Sequence, residues 1–253
     1  MESMRVVAVS RIVPFMTDRM LARLDTLPFV PKSAVVKSFP FFTGNTGGNI
    51  ASFARVRDYH AVVYKYMLDY ERDLSEQYPD KKFLTLKNGW PLPIVAAANI
   101  CGVGFTGRNG LQIVDPYGSY IALSAILCDT LLPETLPEGE CLGCGECERA
   151  CPTGATRFDG EKRVLDSNRC IARLTQSKDD GDFSLLKLSP YIWGCDICQS
   201  VCPHNKNAKT TDIPEFAGRI IGNIDIAALS QDLSDRHYAK NINLLKRNLE
   251  FIK

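Results

Sequence analysis

Apolar residues follow two different periods in the first half of the chain, which predicts a mixture of strands and helices. The runs 35–39 (Val-Val-Lys-Ser-Phe) and 83–86 (Phe-Leu-Thr-Leu) are short and rich in β-branched and aromatic residues, as strands are. Residues 50–77 contain no Gly or Pro, and their apolar side chains recur at helical spacing. These side chains are Phe53, Val56, Ala61, Tyr64 and Leu68. We therefore expect one long helix between the two strands.

The alternation of elements continues to about residue 132. Residues 94–101 predict an alanine-rich helix, residues 111–114 a strand that ends in a turn, and residues 119–132 a further strand. A linker with two prolines follows, and the cysteine motifs begin after it. We therefore expect two domains: 1–135, an α/β domain, and 136–253, a ferredoxin-like domain that ends in helices.

Eight of the ten cysteines form two groups, spaced C-x2-C-x2-C-x3-C-P and C-x24-C-x2-C-x3-C-P. In bacterial two-cluster ferredoxins, closely spaced cysteines hold one 4Fe-4S cluster, and the cysteine before the proline ligates the other cluster. This crossover assigns Cys141, Cys144, Cys147 and Cys202 to cluster one. It assigns Cys170, Cys195, Cys198 and Cys151 to cluster two. The pattern predicts a protein that moves single electrons.

Cysteines in such groups can also hold structural zinc, form disulfides or remain buried free thiols. Zinc is the closest competitor, because it too binds Cys-x2-Cys pairs. The two Cys-x3-Cys-Pro endings favour iron-sulfur clusters. Cys101 and Cys128 lie outside both groups, and we expect them to be core thiols, since free cysteine is often buried.

Composition limits the function classes. Thirty basic and 29 acidic residues give a net charge of +1, which predicts no global attraction to nucleic acid or an anionic membrane. The chain has no apolar run of the roughly 18 residues that a spanning helix needs, and its N-terminus lacks the apolar core of a signal peptide. We expect a soluble, cytoplasmic protein without membrane partners.

A glycine pattern at residues 102–107, Gly-x-Gly-x-x-Gly, has the spacing of a dinucleotide-binding loop. That loop connects a strand to a helix, whereas this one follows a predicted helix and precedes a predicted strand. We therefore expect a tight turn or a loop that approaches some other ligand.

Several segments, in this order, resemble epoxyqueuosine reductase. They are 54–60 (ARVRDYH), 102–109 (GVGFTGRN), 117–120 (YGSY), 151–155 (CPTGA) and 194–205 (GCDICQSVCPHN). The resemblance implies an α/β domain of the kind shared with reductive dehalogenases, two 4Fe-4S clusters and a cobalamin cofactor. The family reduces the epoxide of a modified tRNA base, and the isolated Cys170 also fits it.

The resemblance implies two groups of further site residues. Corrinoid contacts are expected in the Gly-rich loop and in the turn after it: Gly104, Gly107, Arg108, Asn109, Tyr117, Gly118 and Ser119. The family's proton-donating aspartate, three residues before a proline, corresponds to Asn88 before Pro91. Because an amide cannot donate a proton as a carboxylic acid does, the proton would come from Asp58, Tyr59, Tyr117 or water.

The chain also departs from the family near its C-terminus. Residues 244–249 resemble the opening of the helical repeats that grip tRNA in the family, but the array does not follow, so we expect a short form that does not bind tRNA. Ile242, Leu245, Leu249 and Ile252 share one helix face. The basic side chains of this tail are expected on a solvated helix face, with phosphate contact as the alternative. They are Arg236, Lys240, Lys246, Arg247 and Lys253.

Two functions follow from these observations. The first is an oxidoreductase that passes electrons from an external low-potential donor through two 4Fe-4S clusters to a corrinoid, which reduces an unidentified substrate. The second is an electron-transfer or corrinoid-reactivating protein that has clusters but no substrate chemistry of its own.

Overall fold

The computed structural model describes residues 4–44, 47–160, 162–178, 180–225 and 233–252, and it divides the chain into two compact units. Unit 1 comprises Met1–Phe39, His60–Thr106 and Ile121–Glu140. Unit 2 comprises Pro40–Tyr59, Gly107–Tyr120 and Cys141–Lys253. Segments 40–59 and 107–120 thus group with the cysteine motifs, and the expected domains 1–135 and 136–253 stay a prediction.

The described part of the chain contains both strands and helices. The strands are β1 (Arg5–Ala8), β2 (Ser33–Pro40), β3 (Phe83–Thr85), β4 (Phe105–Thr106), β5 (Gln112–Ile113), β6 (Ile121–Cys128), β7 (Thr156–Asp159) and β8 (Lys162–Leu165). The helices are α1 (Val9–Ile12), α2 (Asp18–Leu24), α3 (Ser52–Arg55), α4 (Tyr59–Gln77), α5 (Ile94–Ile100), α6 (Glu146–Ala150), α7 (Ile171–Leu174), α8 (Ile197–Ser200), α9 (Pro214–Ala217) and α10 (Ile242–Phe251). The mixed α/β fold class expected from the sequence is confirmed.

Unit 1 is built on a four-stranded sheet with the order β1-β2-β6-β3. Strand β1 is antiparallel to β2, with Val6 opposite Val35, and β3 is antiparallel to β6, with Leu84 opposite Leu127. The last residues of β6 are all buried, which indicates that both faces of this strand are covered. Cys128 ends this strand and is fully buried, as Cys101 is, so the expected core thiols are confirmed.

The single helix expected over residues 50–77 is wrong. Helix α3 ends at Arg55, and Val56 is extended, with ψ of 176°. The amide of Asp58 donates to Asp235 O at 2.8 Å, a tertiary bond in place of a helical one. These non-helical residues shift the rotational phase, so α4 buries Val62, Val63, Met67 and Leu74 rather than Ala61 and Leu68. A window that assumes an unbroken helix cannot detect such a shift.

Unit 2 arranges its two cysteine motifs around paired short helices. Helix α6 carries Cys147 and precedes Cys151, α8 carries Cys198 and precedes Cys202, and the two helices pack together. The hairpin β7–β8 follows the first motif.

A separate apolar cluster in unit 2 centres on Trp193 and Tyr238. All four residues of the predicted apolar face on the C-terminal helix take part in it, namely Ile242, Leu245, Leu249 and Ile252. That prediction is confirmed.

Candidate iron-sulfur centre

The four cysteines predicted for cluster one line a common cavity in unit 2. They are Cys141, Cys144, Cys147 and Cys202. Cys202 comes from the second motif, so the crossover expected from sequence brings the two motifs to one cavity. Burial raises the pKa of Cys202, and the neighbouring charges of Cys141 and Cys144 raise it further. The donor set therefore fits a 4Fe-4S cluster, which is held by four thiolates.

The thiols predicted for cluster two also lie close enough to influence one another. Burial raises the pKa of Cys198, and the charges of Cys195, Cys170 and Cys151 raise it further, with a contribution from Cys147. Burial likewise raises the pKa of Cys195 to about 12, with the charge of Cys170 among the other causes. The distant Cys170 is thus a neighbour of the second motif, and this donor set also fits a cluster.

Cys151 has a different electrostatic environment. Burial raises its pKa, but hydrogen bonds from Thr153 and from the backbone amides of Thr153, Ala155 and Thr156 lower the pKa more, so the net direction is down. The Thr153 hydroxyl lies 3.5 Å from Cys151 Sγ. Such bonds favour the thiolate, the form that ligates metal.

No group of three or more His, Cys, Asp or Glu side chains among the described residues is placed to hold a single metal ion. All ten cysteines are free thiols. The assignment of eight of them to clusters stays a prediction.

The residues expected to contact a corrinoid from the Gly-rich loop are divided between the units. Gly104 lies in unit 1, while Gly107, Arg108 and Asn109 lie in unit 2 and line the cluster-one cavity. Arg108 donates to Gly143 O at 3.0 Å, and its Nη1 is 3.4 Å from Glu148 Oε1.

The same arginine and its neighbour are engaged with both motifs. The guanidinium of Arg108 lies 3.9 Å from the centre of the Phe158 ring. Asn109 Nδ2 donates to Cys198 O at 3.4 Å. Both side chains therefore support the cysteine loops.

Ser119, in the turn at 117–119, was also expected to contact a corrinoid, and it too makes hydrogen bonds within the protein. The Ser119 amide donates to Asn205 Oδ1 at 2.7 Å, and its hydroxyl donates to Gln199 Oε1 at 3.0 Å. Asn205 Nδ2 in turn donates to Ser119 Oγ at 2.8 Å. Gly118 is buried at φ +60°, and Tyr117 is partly exposed. Because Ser119 has its hydrogen-bonding groups engaged within the protein, its structural role is clear and its corrinoid contact stays a prediction.

Tyr59, one of the proton-donor candidates of unit 2, lies in an aromatic group. Tyr59 stacks on His237, with ring centres 5.8 Å apart, and Phe53 meets both rings edge-on. Burial raises the pKa of Tyr59 to about 12, and the charge of Asp58 adds to the rise. The raised pKa makes Tyr59 a weaker acid than an exposed tyrosine.

Asn88 lies in unit 1, in the short 3-10 turn Lys87–Gly89. It is exposed and has φ of 57°, a left-handed conformation that asparagine tolerates better than most residues. The Gly-rich loop begins after helix α5 and ends with strand β4, so the order that argued against a dinucleotide site is confirmed.

Sequence analysis missed a buried polar network in unit 2. Asp196 Oδ2 accepts from both the amide and the hydroxyl of Ser52, each at 2.7 Å. Asp196 Oδ1 accepts from Gln199 Nε2 at 3.3 Å, which joins this pair to Ser119 and Asn205. Burial raises the pKa of Asp196, and the bonds from Ser52 oppose that rise. The only sequence signal was the presence of Asp and Gln inside the second cysteine motif.

The solvated helix face expected for the tail arginines is wrong. Arg236 is 2% exposed and donates to Arg55 O and Arg219 O. Arg247 donates to three backbone carbonyls of unit 2. Lys240 and Lys246 are exposed, and Lys253 lies outside the described residues. Side chains that satisfy buried carbonyls are indistinguishable by composition from those that face water.

Part of the chain is similar to a known iron-sulfur family. The family model described as a 4Fe-4S double cluster binding domain matches residues 140–205. An epoxyqueuosine reductase of Bacillus cereus is 35% identical over 162 residues, which are 63% of this chain and 42% of that protein. The chain thus spans less than half the length of this relative.

Solved structures agree on the fold. The structure of an epoxyqueuosine reductase from Bacillus subtilis, with its catalytic aspartate loop swung out of the active site, has a TM-score of 0.77 and 22% identity, covering 99% of this chain and 77% of that one. A crystal structure of epoxyqueuosine reductase with an epoxyqueuosine-modified tRNA stem loop has a TM-score of 0.74 and 21% identity, covering 99% and 76%. That relative binds tRNA, whereas our expectation that this chain does not bind tRNA stays a prediction. Among the described helices, none is long and apolar enough to cross a membrane.

Proposed function

We propose that this epoxyqueuosine reductase-like iron-sulfur protein, with its double 4Fe-4S cluster binding domain, is an oxidoreductase that passes single electrons through two clusters to an acceptor. The observation that carries the proposal is the cavity in which Cys202 joins the three cysteines of the first motif. Each cluster supplies one-electron chemistry when it is bound.

The surroundings of the cysteines support a direction of transfer. Cys144 is exposed, so the first set of cysteines lies where an external low-potential donor can reach it. Cys195 and Cys198 are partly buried, and burial raises the pKa of both. We propose that electrons arrive at the first set and leave from the second. The donor and the protein would meet in the cytoplasm.

The acceptor that the family resemblance favours is a corrinoid. If bound, a corrinoid would supply a reducible cobalt centre. Of the residues named for it, Arg108, Asn109 and Ser119 have side-chain bonds within the protein, so this residue set does not by itself fit the cofactor. Cobalamin therefore belongs to the proposal through the resemblance alone, and substrate reduction rests on it.

A second candidate function is electron transfer without substrate chemistry. Two points favour it: the resemblance aligns Asn88 with the family's acid, and the side chains of Arg108 and Ser119 make hydrogen bonds within unit 2. Tyr59, with its raised pKa, is a poor proton donor, which leaves Asp58, Tyr117 or water for that step.

Anaerobic reconstitution followed by a cobalamin titration tests both candidates. Two 4Fe-4S clusters require about eight iron atoms per chain, with absorption and electron paramagnetic resonance spectra of that cluster type. The variant Cys128→Ala is the matched control, because this buried thiol lies outside both motifs and should leave the iron content unchanged.

The outcomes separate the candidates. Saturable cobalamin binding, with a changed visible spectrum, supports the reductase. Eight iron atoms without cobalamin binding supports the electron carrier. A chain that binds one zinc ion per motif and no iron contradicts both.

A further inference from the structure

We propose that Asn248, on the C-terminal helix α10, is a positioning residue for cluster two, because it ties the segment of Cys170 to the segment of Cys195. The inference rests on the proposed ligation of cluster two by Cys170. It gives the tail a role in the metal site rather than in nucleic-acid contact.

Cys170 is far along the chain from the other predicted ligands of cluster two. Twenty-four residues separate Cys170 from Cys195, whereas the other cysteine pairs of each motif are two or three residues apart. An insertion of this length costs little closure entropy, but it does not fix the position of its end. Contacts from elsewhere must hold Cys170 in place.

Cys170 is rigidly connected to Thr175 by helix α7. The backbone oxygen of Cys170 accepts from the amide of Leu174 at 2.9 Å, so the cysteine stands immediately before the first turn. Thr175 follows the last residue of that helix. Whatever fixes Thr175 therefore also fixes Cys170.

Asn248 holds Thr175 and the second segment with one amide group. Its Nδ2 donates to Thr175 O at 2.8 Å and to Ile192 O at 2.7 Å. Ile192 lies three residues before Cys195. Both N–H groups of the side chain are thus used to join the two ligand segments.

The side chain of Asn248, which bridges the two segments, is buried, and all of its hydrogen-bonding groups have partners. Asn248 is 0% exposed, and its Oδ1 accepts from Arg247 Nε at 3.1 Å and Nη2 at 2.8 Å. A buried polar side chain whose donors and acceptor are all paired specifies one arrangement of its neighbours. A leucine at this position would fill a similar volume and could form none of these bonds.

Neighbouring contacts act on the same two segments. Arg247 donates to Leu174 O at 3.1 Å and to Ser177 O at 2.8 Å, which caps the carbonyl end of α7. The Gly194 amide donates to Thr175 Oγ1 at 2.9 Å. Phe251 of α10 packs against the apolar group that contains Ile171 and Leu174.

The experiment compares Asn248→Leu with Asn243→Leu in the full chain after anaerobic reconstitution. Asn243 is an exposed asparagine of the same helix and gives the matched control. We expect the control to keep about eight iron atoms. Asn248→Leu should either fall to the about four expected of Cys170→Ala or keep about eight with an altered cluster two. A redox titration followed by electron paramagnetic resonance should show the cluster-one signal unchanged and the cluster-two signal lost or shifted in potential.

A purely structural role would reduce both cluster signals in proportion to the loss of folded protein. If Asn248→Leu does not fold, Arg247→Gln provides the second variant, since this side chain is only half-buried and acts on the same segment. A selective change in cluster two supports the inference there as well. If the folded variants keep both clusters and both reduction potentials unchanged, the inference is overturned. A wild-type chain without clusters overturns the proposed function and this inference together.

Discussion

Replacing Gly118 by alanine tests whether the turn at 117–119 serves the cysteine loops. A Cβ at Gly118 would lie 2.0 Å from Asn205 Oδ1 and 3.0 Å from His204 O, so Asn205 must move. Moving Asn205 breaks its bonds with the Ser119 amide, with Ser119 Oγ and with Gln199 O. The substitution therefore separates Ser119 from the segment that follows Cys202.

The expected loss has two parts. The left-handed backbone at φ +60° costs an alanine about 1–2 kcal/mol. Three broken hydrogen bonds add about 3 kcal/mol at about 1 kcal/mol each. Gly160→Ala isolates the first part, because Gly160 has φ of +61° and nothing within 4 Å of its would-be Cβ. The two variants should thus differ by about 3 kcal/mol in the free energy of unfolding.

Urea denaturation of the anaerobically reconstituted proteins measures this difference from the midpoints and slopes. Iron content and cobalamin titration are measured on the same samples. Gly118→Ala should lose stability and cluster-one iron, while Gly160→Ala should keep its iron. Equal stability of the two variants, with a weaker cobalamin affinity for Gly118→Ala alone, would refute the reasoning and assign the turn to the cofactor.

Three further predictions concern the ligands and their support. Cys202→Ser should lower the iron content from about eight to about four and remove the cluster-one signal, whereas Cys151→Ser should remove the cluster-two signal. Loss of the same signal from both variants would contradict the crossover. Ser52→Ala should lower the free energy of unfolding, measured in urea, by about 1.5–3 kcal/mol, since it removes the hydroxyl bond to the buried carboxylate of Asp196. No change would mean that the bond from the Ser52 backbone amide is sufficient. Cluster loading should increase from pH 7 to pH 9, because burial raises the pKa of Cys195 to about 12 and ligation requires loss of its proton. Equal loading at both pH values, with no proton release on metal binding, would show that this thiol is not a ligand.

Local chemistry explains which features were predictable. Strands β2, β3, β5 and β6 and the apolar face of the last helix depend on periodicity over a few residues, and these were identified. Strands β1, β4, β7 and β8 were not predicted. At the break near Val56, the Asp58 amide donates to the backbone oxygen of Asp235, which is 177 positions away. No local window contains that partner, so the helix was predicted to continue.

The cysteine spacing by itself predicted the double-cluster domain that the family model matches at residues 140–205, because thiolate ligation of a cluster depends on residue type and short intervals. The tertiary structure alone decided how those ligands are held. It engaged Arg108 and Ser119 with the cysteine loops, and it brought Asn248 to the carbonyls of Thr175 and Ile192. Hydrogen bonds between residues far apart in the chain depend on the folded path of the backbone, and neither composition nor periodicity records that path.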